Sequence, residues 1–299
     1  MSDNRIASLD ADWSVFLPKE QAAFTLARKL TLDPWTMGDG DIEALRKHFN
    51  DAQIVELVYA IAGFNSTTRW TDALGIPQDH AFRDGPIQLD TPTSRRFLDA
   101  TSLTTSDGDR RPPPLEPRAE VEAALSACQA RNARVLLAGE EEARAVLPAD
   151  DSEGTVPQWV RALALFPKTA AAQVGHRKAV AMEGRIDTLL KAQIAWTCAR
   201  HDRAWYALGD ARRRLVALGQ SDDEIFAIDG PGDSFSPAAR EALAFACKLT
   251  AAPRTIADAD IARLREHFSD HETAEVVYVV CHSAMFDRCT EALGLPLEP

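Results

Sequence analysis

At 299 residues the chain is long enough for one large domain or two ordinary ones, with an ample core. Its 45% hydrophobic and 26% charged residues are those of a globular protein. A net charge of −12 argues against nucleic acid or an anionic membrane as partner, because both demand clustered Lys and Arg. The first residues show no basic segment followed by an apolar one, so no signal peptide is expected, and no run approaches the roughly 18 apolar residues of a membrane helix. Five widely spaced cysteines without a CxxC suit a reducing, cytoplasmic setting.

In chain order, residues 1–77 read as helices. Pro18 takes a first-turn position, where its missing N–H costs nothing, and Ala, Leu and Phe recur at helical spacing through Leu30. Asp39 is the expected N-cap of a short helix ending near Phe49. A longer helix runs from about Asp51 to Leu74, with Ile54, Leu57, Val58 and Ile61 as its apolar stripe, and stops at Gly75 before Pro77. Residues 78–118, rich in Pro, Asp and Thr, read as a surface linker. Helical patterning returns over 119–136, 139–147, 156–166, 168–182 and 186–218, the last broken near Cys198–Asp202. No alternating β pattern occurs, so the expected class is all-α.

The final stretch repeats the first. FLPKEQAAFTLARKLTLDPWTMGDGDIEALRKHF recurs as FSPAAREALAFACKLTAAPRTIADADIARLREHF at an offset of 219, without a gap. Residues 17–77 match 236–296 at 25 of 61 positions, among them Lys29/Lys248, His48/His267, Glu56/Glu275, Tyr59/Tyr278 and Arg69/Arg288. The register extends back to Ser2-Asp3 on Ser221-Asp222, so the first copy begins at the counterpart of the SDDEI helix. Nothing in copy one corresponds to residues 119–218. The expected organisation is a half repeat over 1–77, a linker over 78–118 and a complete unit over 119–299.

The second copy with its upstream helices resembles the carboxymuconolactone decarboxylase / AhpD-like (alkylhydroperoxidase D) family. The segments that carry this are VPQWVRALALFPKTAAAQVGHRKAV, the helix into LVALGQSDDEIFAI, SPAAREALAFACKLT and EVVYVVCHSAMFDRCTEALGLPLEP. The resemblance implies an all-helical bundle that assembles into homo-oligomers. It also implies peroxiredoxin-type chemistry in members that carry a Glu, a CxxC near a helix start and a His four residues on. There the helix dipole and the His lower a thiolate pKa, one sulfur attacks peroxide and the second resolves the sulfenic acid. Counting back from Gly219 puts the His position at Ala211, the cysteine positions at Ala207 and Ala204, and the Glu position at Ala192. All four are alanine.

A second frame places Cys198 in the first cysteine position and His201 in the second, with Trp205 and Ile186 in the His and Glu positions. A lone Cys198 helped by His201 one turn on would make a one-cysteine peroxide reductant, against the commoner role of a free cysteine as a small buried hydrophobe. A metal site from Cys198, His201, Cys281 and His282 is weaker, because adjacent helical residues point about 100° apart, and no cofactor is expected. Glu56 and Glu275 recur in an apolar stripe and call for a salt link to another helix. Trp205, Tyr206, Glu275 and His282 form the expected lining of a pocket for a small apolar ligand or a peroxide. The residues favour a non-redox oligomeric or ligand-binding protein over the Cys198 enzyme.

Overall fold

A computed structural model describes residues 5, 8–10, 13–76, 114–148, 154–230, 232 and 235–298. The described residues form thirteen α-helices and short 3-10 turns, with no strand, so the fold is all-α. Copy one supplies α1 (Pro18–Leu32), α2 (Asp39–Arg46) and α3 (Asp51–Ala73). The middle of the chain supplies α4 (Arg118–Ala130), α5 (Glu140–Arg144), α6 (Gln158–Leu163), α7 (Pro167–Met182), α8 (Thr188–Asp202), α9 (Trp205–Ala217) and α10 (Asp222–Ala227). Copy two supplies α11 (Pro237–Ala251), α12 (Asp258–Arg265) and α13 (Asp270–Ala292), each displaced by 219 residues from its counterpart.

The local chemistry repeats with the sequence. Asp41 accepts from Gly38 N at 2.8 Å and from Lys29 Nζ at 2.7 Å; Asp260 accepts from Ala257 N and Lys248 Nζ at the same two distances. The capping carboxylates are therefore Asp41 and Asp260, not the expected Asp39. Asp39 lies at the first helical residue and pairs instead with Arg134 at 2.7 Å. A reciprocal side-chain box opens α3 (Asn50 with Gln53) and α13 (Ser269 with Glu272). Each long helix ends at a glycine in the left-handed region, Gly75 at φ 59° and Gly294 at φ 58°, where a side chain would be strained.

Helix α13 is the centre of the core. It packs most extensively on α3, the equivalent helix of the other copy, and also on α8, α9 and α11. Its second half, from Ser283 to Ala292, is buried almost throughout, carrying Asp287, Arg288 and Glu291 inside. Arg288 is held by Asp202 of α8 at 2.7 Å and by the carbonyls of Leu30 (3.1 Å) and Ala284 (2.9 Å). No described helix lies along α3 as α8 lies along α13. Phe64 of α3 is accordingly 74% exposed, whereas Ser283, its counterpart, is 8% exposed.

The expected long helix over 186–218 divides into α8 and α9, and the break falls at Arg203, which turns left-handed (φ 50°). Most of the expected linker lies outside the described residues. Its described end is anchored: Glu116 meets Arg200 at 3.1 Å and Arg203 at 2.5 Å, pinning the chain to the α8–α9 corner.

Two substitutions separate the buried charge pair from an exposed one. Asp202→Asn strands Arg288 in the core and is expected to cost about 3–5 kcal/mol in urea unfolding. Arg265→Met, at a pair whose two side chains are 59% and 81% exposed, is expected to cost no more than about 1 kcal/mol.

Candidate functional site

The start of α9 is where the family resemblance places reactive groups. Ala192, Ala204, Ala207 and Ala211 are each no more than 5% exposed and pack in the main core cluster. The polar groups at this helix start are structural. Tyr206 N donates to Glu291 Oε1 at 3.3 Å, setting a carboxylate at the positive end of the α9 dipole. Arg131 grips that carboxylate with two bonds of 2.9 and 3.0 Å. The C-terminal tail closes the other side: Glu298 accepts from Tyr206 Oη and from Gln158 N and pairs with Arg213 at 2.8 Å. Leu297 lies so near Gly209 that a Cβ there would sit 2.3 Å from its methyl carbon.

Cys198 is fully buried. Its sulfur accepts from Thr250 Oγ1 at 3.4 Å and lies 3.9 Å from the Val280 carbonyl. Burial first, and the carboxyl of Asp287 next, push this thiol well above its ordinary pKa. His201, one turn along α8, makes no hydrogen bond to it; the ring borders two cavities on the flank of α8, and burial lowers its pKa. Burial raises the other cysteines too: Cys128 to about 11, Cys281 to about 12, and Cys247 and Cys289 upward as well. Every cysteine is a protonated thiol at neutral pH.

The four residues expected to line one pocket occupy three places. Trp205 and Tyr206 belong to the α9 start, where Tyr206 is buried and bonded to Glu298. Glu275 is a structural clamp: it accepts from Arg185 N at 2.8 Å and meets Lys191 of α8 at 2.6 Å as an ion pair, off the line of a hydrogen bond. It fills the space over Gly184, where φ is +111° and a Cβ would lie 2.0 Å from its carboxylate oxygen. The expected link from Glu275 to another helix is thus present. Its counterpart Glu56 is exposed and has no ion partner among the described residues.

Only His282 of the four faces a roomy cavity. A groove of about 640 Å³ runs between α3, α7 and α13, from both copies and the middle of the chain. Tyr278 Oη and His176 Nε2 lie 2.7 Å apart in it, and the His176 and His282 rings meet edge to face at 5.2 Å. Trp70 stands edge-on to Tyr278 at 5.9 Å, and its indole Nε1 is buried without a hydrogen-bond partner. Burial foremost, then the positive charge of Arg177, lowers the His282 pKa to about 3, so this ring is neutral at physiological pH. His176 and Trp70 went unmarked in the sequence. Tyr278 had one available signal, its recurrence as Tyr59, and both tyrosines line the groove.

No family model matches the chain, and no curated protein matches it. Among solved structures it is similar to the crystal structure of an uncharacterized peroxidase-related protein from Silicibacter sp. TM1040. The two are 17% identical, the match covers 63% of this chain and 94% of that one, and the TM-score is 0.45, a distant likeness.

Two measurements follow from these protonation states. The native protein is expected to react slowly with a disulfide reagent at pH 7, with partly exposed Cys247 labelled first and the other four only on unfolding. For His282 the unfolded ring takes a proton near 6.5 and the folded ring only near 3, so its contribution to stability is present above 6.5 and drains away as pH falls between those values. Unfolding midpoints of His282→Gln are expected to fall less steeply than those of the wild type across that window.

Proposed function

We propose that this chain is a non-thiol, ligand-binding protein built on an AhpD-like helical scaffold, with the α3–α7–α13 groove as its binding site. One observation carries the reading: the positions for a Glu, two cysteines and a His are buried alanines, while all five cysteines that are present are held as thiols. The groove supports a small, mainly apolar ligand that offers a hydrogen-bond acceptor. Its walls include Phe64, Phe166, Leu163 and Met285, and its polar groups are Trp70 Nε1 and the Tyr278–His176 pair. Assembly into homo-oligomers belongs to the same reading, supported by exposed apolar side chains such as Leu136 at 76% and Met182 at 60%. A cytoplasmic setting fits five unpaired cysteines, and no helix among the described residues is long and apolar enough to cross a membrane.

The competing reading is a peroxide reductase that uses Cys198 and His201. Peroxide-dependent consumption of a dithiol reductant is expected to stay at background and to be equal for wild type and Cys198→Ala. Turnover that Cys198→Ala abolishes would overturn the non-thiol assignment. In calorimetry, acetophenone is expected to bind saturably, and Trp70→Phe to weaken it by about 2–10-fold, the worth of one hydrogen bond. Unchanged affinity in that variant would remove the groove from the reading.

A further inference from the structure

A second cavity, of about 360 Å³, lies away from the groove, where equivalent parts of the two copies face each other. It is lined by matched residues: Thr31 and Thr250, Pro34 and Pro253, Arg69 and Arg288. This is the pattern of an isologous contact, here within one chain. The two arginines, however, are not equivalent in their surroundings. Arg288 has Asp202 and two backbone carbonyls. Arg69 has no hydrogen bond or ion pair among the described residues, and its Nη1 is buried and unsatisfied.

The cause lies in the repeat. The carboxylate that serves Arg288 comes from α8, and no described helix lies along α3 in that way. Arg69 keeps the repeat's guanidinium without the repeat's counter-ion. Around the cavity stand Arg69, Arg288 and Arg254 against one carboxylate, Asp202, which Arg288 already engages. That is a local excess of positive charge in a protein whose net charge is −12. Burial, and then the like charge of Arg288, lower the Arg69 pKa to about 10, so it remains a cation at neutral pH. A partly buried cation without a partner is costly and calls for an explanation.

We propose that this cavity binds a small organic carboxylate, whose anion replaces at Arg69 the counter-ion that Asp202 provides at Arg288, with its apolar body against Pro34, Trp35 and Pro253. The planar guanidinium matches a carboxylate with two parallel N–H···O bonds. The walls of proline and tryptophan suit a ring or short hydrocarbon better than a bare oxyanion, and the volume suits a molecule of benzoate size.

The test uses the full chain with sodium benzoate, inorganic phosphate and acetophenone, each matched in ionic strength with sodium chloride. Benzoate is expected to bind at one site per chain and to raise the unfolding temperature. Arg69→Met is expected to fold at least as well as wild type, having lost an unpaired charge, and to weaken benzoate by about 10–100-fold, as loss of a charge-assisted pair should. Arg69→Lys is expected to fall between the two. Benzoate is also expected to bind equally with and without saturating acetophenone. Absence of saturable benzoate binding, equal binding by Arg69→Met, competition by acetophenone, or phosphate binding as tightly as benzoate would each overturn the proposal.

Discussion

Helix α8 brings two opposite charges to α13, and the rest of the molecule is arranged around what those charges satisfy. Lys191 near its start meets Glu275, and Asp202 at its end meets Arg288. Both α13 residues belong to the repeat, so both recur on α3, as Glu56 and Arg69. There no described helix answers them. Glu56 turns to solvent at the edge of the groove, while Arg69 stays inside beside its twin. Among the described residues this difference goes with the exposure of Phe64 on α3 and with the guanidinium of Arg69 that has no partner. The groove and the second cavity are both lined by α3, one on each account.

The start of α9 shows how a helix terminus suited to an anionic thiolate can carry a different load. A helix N-terminus attracts negative charge whatever its source. Here the source is Glu291, already neutralised by Arg131, with Glu298 of the tail a few residues away on Tyr206. Ala204, Ala207 and Ala211 contribute only methyl groups here. The dipole contributes to holding α4, α9, α13 and the tail together.

Much of this was legible in the residues. The 219-residue offset carried over to the helix ends without a slip, because proline starts, side-chain boxes and glycine stops are local signals that both copies retain. The alanines counted back from Gly219 are buried, Ala192 on α8, Ala204 at the cap of α9, and Ala207 and Ala211 on α9. What escaped reading depends on distance in sequence. His176 and Tyr278 are 102 residues apart, and Asp202 and Arg288 are 86 apart; no periodicity announces either pair. Nor does any periodicity announce that Glu298, 92 residues from Tyr206, engages the tyrosine hydroxyl. Asp39 and Asp41 are two residues apart with similar composition around them, and only the backbone geometry tells which one caps the helix.

The pairing of equivalent arginines across a shared cavity has an evolutionary side. In a symmetric homodimer any substitution at such a contact appears on both faces at once, so two like charges must be tolerated together or lost together. A tandem chain escapes that coupling. Its two arginines are encoded separately and can be selected separately, one to brace the interior and the other to remain unsatisfied. Fusion of the copies thus allows an asymmetry that two identical subunits could not inherit.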